Sequence, residues 1–231
     1  MKTRIQQILS VLAIATLCQG VAVAQLTIDD FSTGAYKKTL STSSDDHTVT
    51  GTMIGGERNT YFRICQQIPC TVDENEFAQS ATFQTRPSKK AGVPSALIMS
   101  SGYKTFPLIQ IFWGIDGQNH VVPLHLNLSP YDRLRVSFDG LTEVLNFNLQ
   151  LYTPTGNGQI GCNLLPVQPV QPPYTVDFPL ADFTLVGGTN IDFRDITYMD
   201  MISFFGGSYA ITKYEAVPAS AAPASFICTG H

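Results

Sequence analysis

Apolar side chains recur along this chain with a period of two, in short runs closed by glycine, proline and aspartate, and the 3.6-residue period of a helix is scarce. In Arg133-Leu134-Arg135-Val136-Ser137-Phe138, Leu134, Val136 and Phe138 fall on one face while Arg133, Arg135 and Ser137 fall on the other. Asp139-Gly140 then predicts a break. The next run repeats the pattern, with Leu145, Phe147, Leu149 and Leu151 on one face and Asn146, Asn148, Gln150 and Tyr152 on the opposite one. Further strands are predicted at 26–31, 47–53, 61–65, 76–84, 95–100, 105–113, 174–178, 199–205 and 209–216. Turn residues separate many of them, at Gly55-Gly56, Asp116-Gly117, Gly156-Asn157-Gly158, Gly187-Gly188 and Gly206-Gly207. Short strands with frequent turns predict an all-β fold, a two-sheet antiparallel β-sandwich of jelly-roll type with little helix. Segments 85–92 and 166–173 read as irregular. The second holds Pro166, Pro169, Pro172 and Pro173, and reads as a loop within one sandwich because too little chain follows it for a second core.

The first residues break the alternation. Lys2 and Arg4, an apolar run from Ile8 to Leu17, and Ala22-Val23-Ala24 before Gln25 have the three parts of an export signal, predicted to cover 1–24. The apolar run falls well short of the ~20 residues that cross a bilayer. Cys18 follows Leu17, where lipid attachment needs a small residue, so a lipid anchor is not expected. The mature chain is therefore expected to be secreted or periplasmic, without a membrane span. Its sandwich domain is placed at 25–217, and 218–231 forms a tail rich in Ala, Pro and Ser that needs Cys228 to be held.

Outside the signal there are four cysteines, Cys65, Cys70, Cys162 and Cys228, an even number in a chain read as exported, and disulfides are their expected fate. Four cysteines allow three pairings, and sequence alone does not choose among them. Cys65 with Cys70 would close a small loop and leave Cys162 to hold Cys228. A metal site would call for tighter pairs and partner histidines. The formal net charge is −4, with no basic stripe, which removes nucleic acid as a partner.

Catalytic signals are weak. Gly206-Gly207-Ser208-Tyr209-Ala210 approaches a nucleophile elbow, but its last residue is wrong and its context is strand, turn, strand. His120 and His125 lie five residues apart with Pro123 between them, an odd offset that puts them on opposite faces of a strand; His47 and His231 are remote. Asp116, Asp177, Asp182, Asp192, Asp195 and Asp200 are candidates for a glycosidase pair, yet most sit where aspartate makes turns. Trp113 alternates with Ile109 and Ile111 and reads as core.

The polar face formed by Arg133, Arg135, Asn146, Asn148, Gln150 and Tyr152, on two strands read as neighbours, is the candidate ligand-binding site. Amide and guanidinium groups suit sugar hydroxyls, and an aromatic ring stacks on the apolar face of a pyranose.

Three segments carry a family resemblance. Leu26-Thr27-Ile28-Asp29-Asp30-Phe31 resembles the opening strand of galactose-binding-like jelly rolls, including the complex I intermediate-associated family and many carbohydrate-binding modules. The stretch Leu126-Asn127-Leu128-Ser129-Pro130-Tyr131-Asp132-Arg133-Leu134 is similar to their approach to a central strand, and Phe178-Pro179-Leu180-Ala181-Asp182-Phe183 to a later segment. The resemblance implies a fold whose members bind sugars, anchor to surfaces or assist assembly. It also implies a structural calcium held between the first and last strands, with Asp29 and Asp30 as ligands, although Lys213 stands near where such relatives place an acid. No other cofactor is expected. The resulting expectation is a secreted, non-catalytic module for a polysaccharide or other glycan. An adhesive surface protein with a protein partner is the alternative, and a hydrolase or lyase on the same scaffold the third reading.

Overall fold

The computed structural model describes residues 23–41, 43–65, 80–102, 105–166, 174–204 and 207–229, with only the backbone of Cys65. These form β1 (Leu26–Asp29), β2 (Tyr36–Leu40), β3 (Ser44–Thr50), β4 (Glu57–Cys65), β5 (Ala81–Arg86), β6 (Ala96–Ser101), β7 (Phe106–Trp113) and β8 (Arg133–Leu141). The chain continues through β9 (Leu145–Thr153), β10 (Gly156–Leu164), β11 (Tyr174–Pro179), β12 (Thr184–Gly188), β13 (Tyr198–Phe204), β14 (Tyr209–Val217) and β15 (Phe226–Ile227). The only helical pieces among the described residues are two 3-10 turns, Ile54–Gly56 and Leu180–Asp182. No described helix is long and apolar enough to cross a membrane.

Two sheets pack face to face. Sheet A runs β15-β11-β8-β14-β6-β5-β2, with β1 also paired to β14; sheet B runs β12-β10-β9-β13-β7-β4-β3. The strand pairs are antiparallel except β11 with β15. The expected all-β, two-sheet antiparallel sandwich is what the chain builds.

Alternation selects the core. Phe138 of sheet A packs against Phe147 of sheet B, which in turn meets Phe178 of sheet A, each centroid pair 5.7 Å apart. Phe62 with Phe83 and Trp113 with Tyr214 repeat the inter-sheet contact further across the width. All seven of these rings are buried, and burying each phenylalanine contributes about 1.5–3 kcal/mol. Trp113 thus lies in the core, as its alternation predicts. β1 stops at Asp29 because that carboxylate accepts the N–H of Phe31 (2.7 Å), an Asx turn that leaves Phe31 at φ 55°.

Four sequence expectations are corrected. Asp139-Gly140 does not end β8, which runs on to Leu141; β14 absorbs the irregularity by register shifts between Ala210 and Lys213. β8 and β9 do not neighbour one another. Residues 142–144 carry the chain from sheet A to sheet B, pinned where Thr142 N–H meets Ser208 O (2.9 Å) and Ser208 N–H meets Thr142 Oγ1 (2.8 Å). Gly156-Asn157-Gly158 is the start of β10, not a turn; the hairpin turn is Pro154-Thr155, with Gly156 registered on Thr153. Gly187-Gly188 likewise closes β12 against Asn157 and Gly156. These glycines serve close approach: a Cβ on Gly156 would lie 2.6 Å from Asn190 O.

Of the strand predicted at 76–84, residues 76–79 fall outside the described residues and β5 begins at Ala81. The export signal to residue 22, Cys70, His231 and 167–173 of the proline-rich run fall outside the described residues.

Candidate functional site

The predicted polar face divides between the two sheets. Arg133 and Arg135 project from the outer face of sheet A, yet each is only 8% exposed. Arg135 grips Asp177 with two bonds, Nε to Oδ1 (2.6 Å) and Nη2 to Oδ2 (2.9 Å), and also donates to Ala222 O (2.6 Å). Arg133 pairs with Asp177 (2.7 Å) and Asp132 (2.7 Å) and donates to Ala221 O (2.9 Å). Asp177 also accepts the N–H of Ala224 (3.2 Å). The pairing with Asp177 holds Arg135 protonated above its ordinary range. These guanidiniums therefore fasten residues 221–224 across β8 and β11. β15 then lies beside β11, and a disulfide joins Cys228 to Cys162 of β10 (Cα to Cα 5.8 Å). The tail is held by Cys228, and the bridge ties it to sheet B.

Asn146, Asn148, Gln150 and Tyr152 occupy the outer face of sheet B, because Phe147, Leu149 and Leu151 point into the core. β10 adds Asn163 opposite Asn146, Gly161 opposite Asn148 and Gln159 opposite Gln150. Gly161 leaves room for the Asn148 amide: a Cβ on it would fall on Oδ1 of Asn148 and turn that amide out of its present place. Asn148 Nδ2 donates to Asn146 Oδ1 (2.9 Å) and Asn146 Nδ2 to Asn163 Oδ1 (3.1 Å). Tyr152 O–H donates to Gln150 Oε1, and Gln150 Nε2 reaches Gln159 Oε1 at 3.5 Å. Each amide has two donors and an acceptor with two lone pairs, so the row is oriented by its own bonds with capacity to spare.

β13 supplies what the sequence list did not connect. Tyr198 registers on Tyr152, their rings stacked with centroids 3.9 Å apart and planes 12° apart. Two residues on, Asp200 sits between Gln150 of β9 and Phe112 of β7. It is 0% exposed, accepts Gln110 Nε2 on Oδ2 (2.7 Å), and leaves Oδ1 buried without a hydrogen-bond partner. Burial pushes its carboxyl up to about 7, against the pull of the Gln110 bond. Burial, with Asp200 nearby, also pushes the Tyr152 and Tyr198 hydroxyls well up, so both stay protonated donors.

One depression lies along this row and a second at its tyrosine end. One of about 290 Å³ is lined by Asn146, Asn148, Gln159, Gly161, Asn163 and Thr184. The other, about 480 Å³, lies past the tyrosines, between Tyr152, Pro154, Gly187, Thr197 and Tyr198.

The remaining candidates scatter. His120 pairs with Asp116 (3.3 Å), His125 with Asp195 (3.1 Å), and His47 stacks on Tyr36. Asp192 pairs with Arg194 (2.8 Å), which with the Arg194 N–H holds its carboxyl below the ordinary range, and Asp182 closes the second 3-10 turn. Asp29 is buried, with Oδ2 taken by Arg58 (2.6 Å) and Trp113 Nε1 (3.2 Å). Asp30 caps the N–H of Ser32 (2.9 Å), and Lys213 pairs with Glu215 (2.5 Å). Arg58 supplies the positive charge beside Asp29, and the described residues contain no group of three or more His, Cys, Asp or Glu placed to hold a metal. The arrangement at Asp29 and Asp30 therefore does not fit a calcium that needs six to eight oxygens.

No family model and no curated protein matches this chain. Among solved structures, a family 11 carbohydrate-binding module from Clostridium thermocellum, in complex with a β-1,3-1,4-mixed-linked tetrasaccharide, is similar at 8% identity and a TM-score of 0.42, over 86% of this chain and 98% of that one. An agarase aligns over 86% of this chain and 25% of its own length (9% identity, TM-score 0.41), and an exo-β-agarase over 89% and 25% (12%, 0.37). They assign this chain no ligand and no activity.

Proposed function

We propose that the protein is an exported, non-catalytic module that binds glycan on the outer face of sheet B. The observation that carries this is the oriented amide row of Asn146, Asn148, Gln150, Gln159 and Asn163, ending at the stacked pair Tyr152 and Tyr198. Sugar hydroxyls both donate and accept, which fixed amides answer, and tyrosine adds apolar surface at low entropic cost. Arg133 and Arg135 belong to the tail fastening and are left out of this site. Retention of the purified protein on immobilised polysaccharides tests the reading, beside a variant carrying Asn148→Ala and Tyr198→Ala. Retention that this variant loses supports it; retention that the variant keeps, or none on any polysaccharide, refutes it.

A second reading, adhesion to a protein, is favoured by one lateral edge. There β12 leaves Leu185 and Val186 44% and 55% exposed, and β15, joined to that edge through the disulfide, leaves Ile227 51% exposed. Open apolar edge strands are templates for pairing with another chain. Val186→Lys should abolish such pairing and leave glycan retention intact.

A further inference from the structure

The strands that build the proposed glycan face are nearly devoid of charge. β7, β9, β10, β12 and β13 lie side by side, and their sequences FPLIQIFW, LNFNLQLYT, GNGQIGCNL, TLVGG and YMDMISF contain one charged residue, Asp200. That residue is an acid, beneath the face and without a counter-ion among the described residues. Lys, Arg and His are absent from all five strands, while the outer face of sheet A holds Arg133, Arg135 and Lys213. We propose that the ligand is an uncharged polysaccharide, bound through the interior of its chain along β9 and β10, and that uronic and sulfated glycans are refused. This rests on the glycan-binding reading above.

Recognition of carboxylate or sulfate calls for guanidinium or ammonium donors, whose charge-assisted bonds are the strong ones. The first basic side chain toward the other edge of sheet B is Arg63, on β4, which is separated from β9 by β13 and β7. Three strand spacings put it about 14 Å away, beyond the screening length of ~8 Å at physiological salt. An anion on the amide row would thus give up its hydration for the neutral donors of these strands, above a carboxyl that repels it whenever ionised. A neutral sugar has no such charge to desolvate, and the amide row answers its hydroxyls directly.

Length follows from the same strands. From Asn146 to Tyr152 the row extends about 20 Å at strand rise, with one depression along its amides and another beyond its tyrosine end. A single ring would cover a fraction of it, and nothing described at the ends is built to cap a chain terminus.

The test compares the intact protein against neutral polysaccharides (mixed-linkage β-glucan, agarose, galactomannan) and anionic ones (alginate, polygalacturonate, sulfated galactan) by affinity electrophoresis and calorimetry. Fully methyl-esterified galacturonan is set against its free-acid form as a pair of one backbone, neutral in the ester and anionic in the acid. The expected result is a neutral polysaccharide bound at least about tenfold more tightly than every anionic one. Its affinity should change less than about twofold as salt shortens the screening length from ~30 to ~3 Å, and should rise from di- to hexasaccharide. An anionic glycan bound as tightly as the best neutral one, with affinity that collapses in salt, overturns this inference and leaves the glycan reading standing. Binding that is complete with a monosaccharide overturns the chain-interior part. No binding to any member overturns the glycan reading and this inference with it.

Discussion

The two outer faces of the sandwich begin from the same alternation and end in opposite states. On sheet A the first outward residues of β8 are arginines, buried under residues 221–224 and paired with Asp177 and Asp132. On sheet B the outward residues of β9 are amides and a tyrosine, bonded to each other and left half-exposed. A polar row is a ligand site only if the rest of the chain leaves it free. Charge separates the two rows: carbonyls and a carboxylate from the tail and β11 satisfy the arginines, whereas no described segment lies over the neutral row on sheet B.

Removing the counter-ion breaks the covered face most severely. Asp177→Ala leaves Arg135 buried without its bonded carboxylate and Arg133 with Asp132 alone, and is expected to cost about 3–5 kcal/mol in denaturant unfolding, with glycan retention unchanged wherever the fold persists.

The buried acid of the open face comes next. Asp200 holds its proton to about pH 7 when folded but ionises near 3.9 when unfolded, so the folded state binds the extra proton between those values. This contribution to stability is therefore full below about pH 4, falls as pH rises, and stays lower above about 7, a difference on the order of 4 kcal/mol. The uncharged neighbours Gln110, Tyr152, Tyr198 and Tyr214 offer no cation to offset it. Asp200→Asn should flatten this slope in thermal melts taken across pH. A slope unchanged in the variant assigns the titration elsewhere.

Cys162→Ser with Cys228→Ser sharpens the comparison by loosening the tail at its far end. The bridge closes a separation of 66 residues, and its loss should lower stability by about 2–4 kcal/mol while leaving the amide row in place. The smallest effect on stability, under about 0.5 kcal/mol, is expected for Gln150→Ala, whose effect should instead be read in glycan retention.

Much of this was legible residue by residue. The alternation of β9 announces both its core face and its amide face, and Cys228 announces a tethered tail. β10 was not legible, since Gly156, Gly158 and Gly161 have the composition of a turn; their reason lies in neighbours that sequence does not place beside them, Asn190, Ile191 and Asn148. Nor does the sequence show that 142–144 is a crossing between sheets, which is why Arg133 and Arg135 read as companions of Asn146. Tyr198 and Asp200 join the site through pairing with β9 across a separation of nearly fifty residues, which no local pattern encodes.

The division between a covered and an open face is tested most directly by backbone amide shifts in the labelled protein, titrated with oligosaccharides of the neutral polysaccharides. The account predicts shifts concentrated on β9, β10 and β13, with β8, β11, β14 and β15 unmoved. Shifts centred on β8, β11 or the tail, or none with any of these sugars, would contradict it.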